Sequence, residues 1–194
     1  MANYCTVDEV KNALGQMVTE QYNGLILSII ENVTAEIDNY CDRQFSTSIA
    51  TTKYFDGTTD ELLVDDLVSV TTLKLDLDGD GTYESTLAAT DYVLYPYQGP
   101  PYWKIRLAEQ SDYSDFAKGI RKGVQIVGTW GYASTVPLPV QQACLEMACR
   151  TFRQSQSGFG TEVGTPDVGT MTVFQGMSSD VKRRLAPYVR HQYA

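Results

Sequence analysis

The sequence predicts an α+β protein: a helical core of long antiparallel helices from the N- and C-terminal parts, with an inserted antiparallel β-hairpin or sheet element. Three observations predict it. Apolar residues recur at steps of three and four from Tyr22 to Tyr40, one stripe along a long helix. From Ile49 to about Trp130 the pattern changes to short Thr-, Val-, Leu- and Tyr-rich runs punctuated by Asp-Gly pairs, the composition of strands and tight turns. Helical spacing then returns in "VPLPVQQACLEMACRTFRQSQ".

In chain order, Thr6 and Glu9 stand in T-x-x-E spacing, a capping box that opens a short helix over 6–14. A second helix spans roughly 20–43. Tyr22, Leu25, Ile26, Ile29, Ile30, Val33, Ile37 and Tyr40 form its apolar stripe, and Glu31, Glu36, Asp38 and Asn39 its wet face. Six or seven short strands follow. In one of them Leu73, Leu75 and Leu77 share a face while Thr72, Lys74 and Asp76 share the other. Pro137 and Pro139 suit the first turn of the next helix, where missing N–H groups cost nothing. Val140, Cys144, Met147, Ala148 and Thr151 are its expected buried stripe. Residues 155–177 are dense in Gly, Ser and Thr and read as a long loop. Ser178 or Ser179 then caps a basic terminal helix with Val181, Leu185, Tyr188 and Val189 inward, which Pro187 must shorten or kink. The expected divisions are 1–46, 47–133 and 134–194, within one compact domain.

Bulk properties narrow the function. The 194 residues are 43% hydrophobic, enough for a real core. The run Leu25–Ile30 is too short to cross a bilayer, and "MANYCTVDEV" is not a signal peptide. A soluble chain made in the cytoplasm, with no membrane partner, is expected. Cys5, Cys41, Cys144 and Cys149 are therefore expected as free, buried thiols. A net charge of −9 argues against general nucleic-acid binding. Residues 137–194 nevertheless carry six Lys/Arg against four Asp/Glu, so the acidity belongs to the earlier part and the end is basic.

One stretch carries metal chemistry on its face. In "LKLDLDGDGTYEST", Asp76, Asp78, Asp80 and Gly81 match the first half of an EF-hand loop. Leu87 stands where the bidentate glutamate belongs, and strands flank the stretch instead of helices. The expectation is a hairpin tip, acidic because it faces water, with no metal. Asp76, Asp78 and Asp80 are the weak candidates if one binds, and a calcium-dependent β-rich ligand-binding module is the alternative function. Catalysis has little to build on: His191 is the one histidine, and no phosphate-cradling glycine motif occurs. No enzyme activity and no cofactor are expected.

Several stretches in series resemble a family. "YCTVDEVKNAL", "IDNYCDRQF", "FDGTTDELLVDDLVSVTTLKLDLDGDG", "DYVLYP", "GTWGYASTVPLPVQQACLEMACRTFRQ" and "VKRRLAPYVR" together resemble the head–tail connector proteins (adaptor, or head completion, proteins) of tailed bacteriophages. The resemblance implies a structural virion protein of the neck, made in the host cytoplasm and assembled as a homo-oligomeric, usually twelve-fold, ring. Its implied partners are the portal protein and a stopper or tail-completion protein, with DNA passing through the channel without sequence-specific binding. It assigns portal docking to Lys182, Arg183, Arg184, Tyr188 and Arg190.

Overall fold

The computed structural model describes residues 2–15, 19–156 and 176–190, and the backbone of two further short strands, Glu162–Thr165 and Gly169–Thr172. The chain divides into two compact units, Met1–Arg43 with Val136–Ala194, and Gln44–Thr135.

In the first unit, α1 (Val7–Leu14) begins at the expected capping box. The Glu9 amide donates to Thr6 Oγ1, and the Thr6 amide to the Glu9 carboxylate at 2.7 Å. A 3-10 turn (Glu20–Tyr22) leads into α2 (Asn23–Cys41), which ends on Asp42 in the left-handed conformation. α2 buries Ile26, Ile29, Ile30, Val33, Thr34, Ile37 and Cys41. Leu25 and Tyr40, placed on the stripe by their spacing, are 40% and 36% exposed, because the true stripe is centred nearer Ile30 and Ile37. α3 (Leu138–Gln156) starts at the two prolines and packs on α1 and α2. It buries Val140, Ala143, Cys144, Met147, Ala148 and Phe152; Thr151 lies at its margin. α4 (Ser179–Leu185) is capped by Ser178 and gives way at Ala186 to a 3-10 turn carrying Pro187. In the stretch expected as a loop, β7 (Glu162–Thr165) and β8 (Gly169–Thr172) pair antiparallel.

The second unit corrects the expected fold class. It is not a hairpin inserted into a helical core but a six-stranded, antiparallel sheet with a core of its own. Its strands are β1 (Thr51–Phe55), β2 (Glu61–Leu75), β3 (Ser85–Leu87), β4 (Tyr92–Tyr95), β5 (Tyr102–Leu107) and β6 (Val124–Trp130). Their order is β1-β6-β2-β5-β4, with β3 also on β2. Leu62, Leu67, Leu73, Leu75, Ile105, Phe116 and Ile126 are almost wholly buried together, each worth about 1.5–3 kcal/mol of transfer from water. The four helices run from 7 to 19 residues, so this sheet, with its own core, is the larger regular element.

The 15-residue β2 holds the sheet together. Its first half pairs β5 and its second half pairs β6, with β3 joining at Leu73–Leu75. Its inward residues are Leu62 and Val64, then Leu67, Leu73 and Leu75. That change from even to odd numbering falls where the β5 register shifts between Leu63 and Leu67, as a bulge requires. Two further shifts against β6, at Leu67/Ser69 and Val70/Thr72, flip the parity and flip it back, and Val70 between them packs on the core.

Close backbone approach fixes one corner of this unit. The Gly57 amide donates to the Ile120 carbonyl at 2.7 Å, and a Cβ on Gly57 would lie 1.7 Å from the Ala117 carbonyl oxygen. Gly57→Ala is therefore expected to lose about 1–3 kcal/mol in chemical denaturation. Gly24→Ala, in open space on α2, should be neutral or stabilising by up to about 1 kcal/mol.

Candidate functional site

Two features inherit the sequence-level candidates: the basic end of the chain and the acidic turn. The basic end is built on α4, whose Val181 and Leu185 are fully buried. Those two anchors fix which charged residues turn outward. Arg183 is 84% exposed, with Nη2 3.2 Å from Asp180 Oδ1 one turn earlier. Lys182 is exposed and has no charged partner among the described residues. Arg184 points the other way: its Nη1 lies 3.2 Å from Glu146 Oε2 on α3, while Arg150 Nη2 lies 3.1 Å from Glu146 Oε1. One carboxylate thus clamps two guanidinium groups and ties α4 to α3. Tyr188 and Arg190 are half-buried, and the Arg190 amide donates to the Cys41 carbonyl at 2.8 Å, ending the described chain against α2. His191 lies outside the described residues.

The sequence candidates for docking therefore divide. Lys182 and Arg183 present charge to solvent, whereas Arg184 spends its charge inside the helical unit. Glu146 escaped the sequence reading. Its i,i+4 spacing to Arg150 was visible, but the bond to Arg184 crosses 38 residues and left no local signal.

The acidic turn occupies residues 76–84, between β2 and β3, which pair as Leu73↔Leu87, Lys74↔Thr86 and Leu75↔Ser85. It is a hairpin connection, as the Asp-Gly chemistry predicts. Asp78, Asp80 and Glu84 face water as expected, but Asp76 is 2% exposed, which corrects the expectation for that residue. Its Oδ1 accepts from the Gly79 amide at 2.7 Å and its Oδ2 from the Gly81 amide at 2.9 Å. Gly79 and Gly81 take φ of +81° and +89°, which brings both N–H groups round to one carboxylate. Asp78 and Asp80 repeat the device locally, accepting from the amides of Asp80 and Thr82. Burial alone would raise the Asp76 pKa; amide donation to the ionised form outweighs it and holds the carboxyl below its ordinary value.

Asp76, Asp78 and Glu84 each offer a carboxylate oxygen within 4.8 Å of the others. Asp80, the third candidate from spacing, is not in that group. Both Asp76 oxygens already serve the backbone, and Leu87 is buried against Leu73. The arrangement is suited to closing a turn and has no place for the bidentate glutamate of a calcium loop.

No protein-family model matches the chain, and no curated protein matches it by sequence. Solved structures do resemble it. One is a chain from the neck of an empty GTA particle computed with C6 symmetry, at 18% identity and a TM-score of 0.56. Another is from the virion of a native gene transfer agent (GTA) particle, at 18% and 0.54. A third is from the neck of the native GTA particle computed with C12 symmetry, at 19% and 0.54. Each match covers 97% of this chain and 90% of the other. At such identities the likeness is one of fold.

Asp76→Asn should lower the melting temperature, because the Gly79 and Gly81 amides lose an ionised acceptor. The folded chain keeps Asp76 ionised to lower pH than the unfolded chain. Its contribution is therefore complete above the unfolded carboxylate value near 3.9, and is lost as pH falls through the folded value. The Asn variant should lack that acid-side component. Calcium should leave the melting temperature of the native chain unchanged; a saturable rise abolished by Asp78→Ala would contradict the turn assignment.

Proposed function

We propose that this chain is a structural, non-enzymatic subunit of a virion neck, forming a ring that joins the portal to a stopper or tail and extends the DNA channel after packaging. The observation that carries the reading is the likeness of fold, over 97% of the chain, to chains of GTA particle necks computed with six- and twelve-fold symmetry. The ordered resemblance to phage connector proteins supports it independently of that likeness.

The chemistry fits such a role. A closed ring needs two different faces per subunit that meet head to tail, and the chain separates an acidic first part from a basic end. A net charge of −9 suits a channel wall on which phosphates slide instead of being captured. In this reading Lys182 and Arg183 make the portal contact through their exposed charge, and Tyr188 and Arg190 flank it. Arg184 holds α4 in the orientation that presents them, by its bond to Glu146.

Deleting residues 179–194 would remove buried Val181 and Leu185 as well as the basic surface, so it cannot separate docking from folding. Lys182→Glu with Arg183→Glu can. This double variant should stay folded and melt within about 5 °C of the native chain, since it loses only an exposed ion pair and favourable charge at the end of α4. It should bind isolated portal rings at least about tenfold more weakly, with the difference shrinking as salt rises. Unchanged affinity for portal would remove these residues from the contact.

A further inference from the structure

The N-terminal segment brings a second cysteine to one already buried in α3. Tyr4 and Cys5 are 4% and 5% exposed, and the Tyr4 hydroxyl hydrogen-bonds the Asp38 carboxylate on α2. The capping box begins at the next residue, Thr6, so Cys5 is fixed on both sides. Its Sγ lies 3.2 Å from Cys144 Sγ, across 139 residues of sequence. Thr34 Oγ1 sits 3.9 Å from the same Cys144 sulfur. A cavity of about 130 Å³, lined by Cys5, Glu9, Leu138, Gln141, Gln142 and Leu145, reaches Cys5, behind which Cys144 is fully buried.

We propose that Cys5 and Cys144 are an oxidative modification site, at which a small hydroperoxide closes a disulfide that fastens the N-terminal segment and α1 to α3. The geometry distinguishes this pair from the other two thiols. Cys41 is buried on α2, where burial pushes its thiol up to about 11. Cys149 is half-buried beside the Val10 carbonyl. At the pair, the two sulfurs share a hydrogen bond in which either can donate; with the proton on Cys5, Cys144 is held below its ordinary value and Cys5 is pushed above it. The two sulfurs are in contact, so a sulfenic acid formed on one meets the other directly.

The reaction balances without help from a cofactor. A thiolate of the pair attacks one oxygen of hydrogen peroxide, the O–O bond breaks, and the departing hydroxide takes a proton and leaves as water. The resulting sulfenic acid is attacked by the neighbouring sulfur; the S–O bond breaks, a disulfide forms and a second water leaves. Two thiols lose two electrons, and one peroxide gains them. Closing from 3.2 Å to a bonded distance of about 2.05 Å asks for a shift of roughly 1 Å, within side-chain reach. The cavity is small, which favours a peroxide over a bulky disulfide such as oxidised glutathione.

The test uses the full reduced chain treated with hydrogen peroxide at mildly alkaline pH, then alkylated, digested without reduction and mapped by mass spectrometry. The expected product is a peptide pair joining Cys5 to Cys144, lighter by two hydrogens. It should come with a higher melting temperature that dithiothreitol reverses and with slower amide exchange in α1. Cys149→Ser should give the same product, and Cys5→Ser should give none. Sulfinic acid at either residue without a cross-link, a cross-link through Cys41 or Cys149, or two unmodified thiols at Cys5 and Cys144 would each overturn the assignment. Because the map is read on the native sequence, a variant that fails to fold does not obscure the result.

Discussion

The β unit depends on a single strand satisfying hydrogen bonds along both of its edges. β2 has β5 and β3 on one side and β6 on the other, so removing any one neighbour would leave a row of backbone groups to find water. A regular 15-residue strand would carry one face inward throughout. This one instead shifts register between Leu63 and Leu67 and twice more against β6. Those shifts let Leu62 and Val64 near one end and Leu73 and Leu75 near the other fill the same core. Trp130, at the end of β6, ties that strand to the edge strand β1. Its indole N–H donates to the Thr51 carbonyl at 2.8 Å, and the Lys53 ammonium lies 4.6 Å from its ring centroid.

The helical unit is held differently. Its long helices bury aliphatic stripes against one another, and its short terminal helix relies on two anchors, Val181 and Leu185, with the Glu146 clamp beside them. A partly exposed carboxylate between two guanidinium groups adds little net energy, but it orients α4 and so sets which basic residues face out. Within one basic run, Arg184 is thereby turned to the helical unit and Lys182 and Arg183 to solvent.

What was legible in the sequence follows the range of the interactions. The α1 capping box and most of the α2 and α3 stripes are set by residues within four of each other, and spacing located them; it left the α4 cap open between Ser178 and Ser179 and put Leu25, Tyr40 and Thr151 too far inward. The sheet was under-read for a physical reason. Asp65 and Asp66 interrupt β2 at its bend, and the inward parity changes there, so no long alternation signals one strand. The turn at 76–84 was correctly placed by its Asp-Gly pairs. The burial of Asp76 was missed, because it depends on two glycines at positive φ turning their amides onto one carboxylate. The bonds Arg184–Glu146 and Cys5–Cys144 join distant positions, and no pattern in a single sequence marks them. Of the docking candidates, the sequence located the basic run but not which of its charges are free to meet a partner.

The proposed ring against a portal is tested by the mass of the assembly. The chain alone and the chain mixed with isolated portal rings would be weighed by native mass spectrometry or mass photometry. The account predicts a discrete complex in the mixture, heavier than the portal by one subunit of this chain for each portal subunit. A chain that keeps its own mass and leaves the portal unchanged at saturating concentration would contradict it.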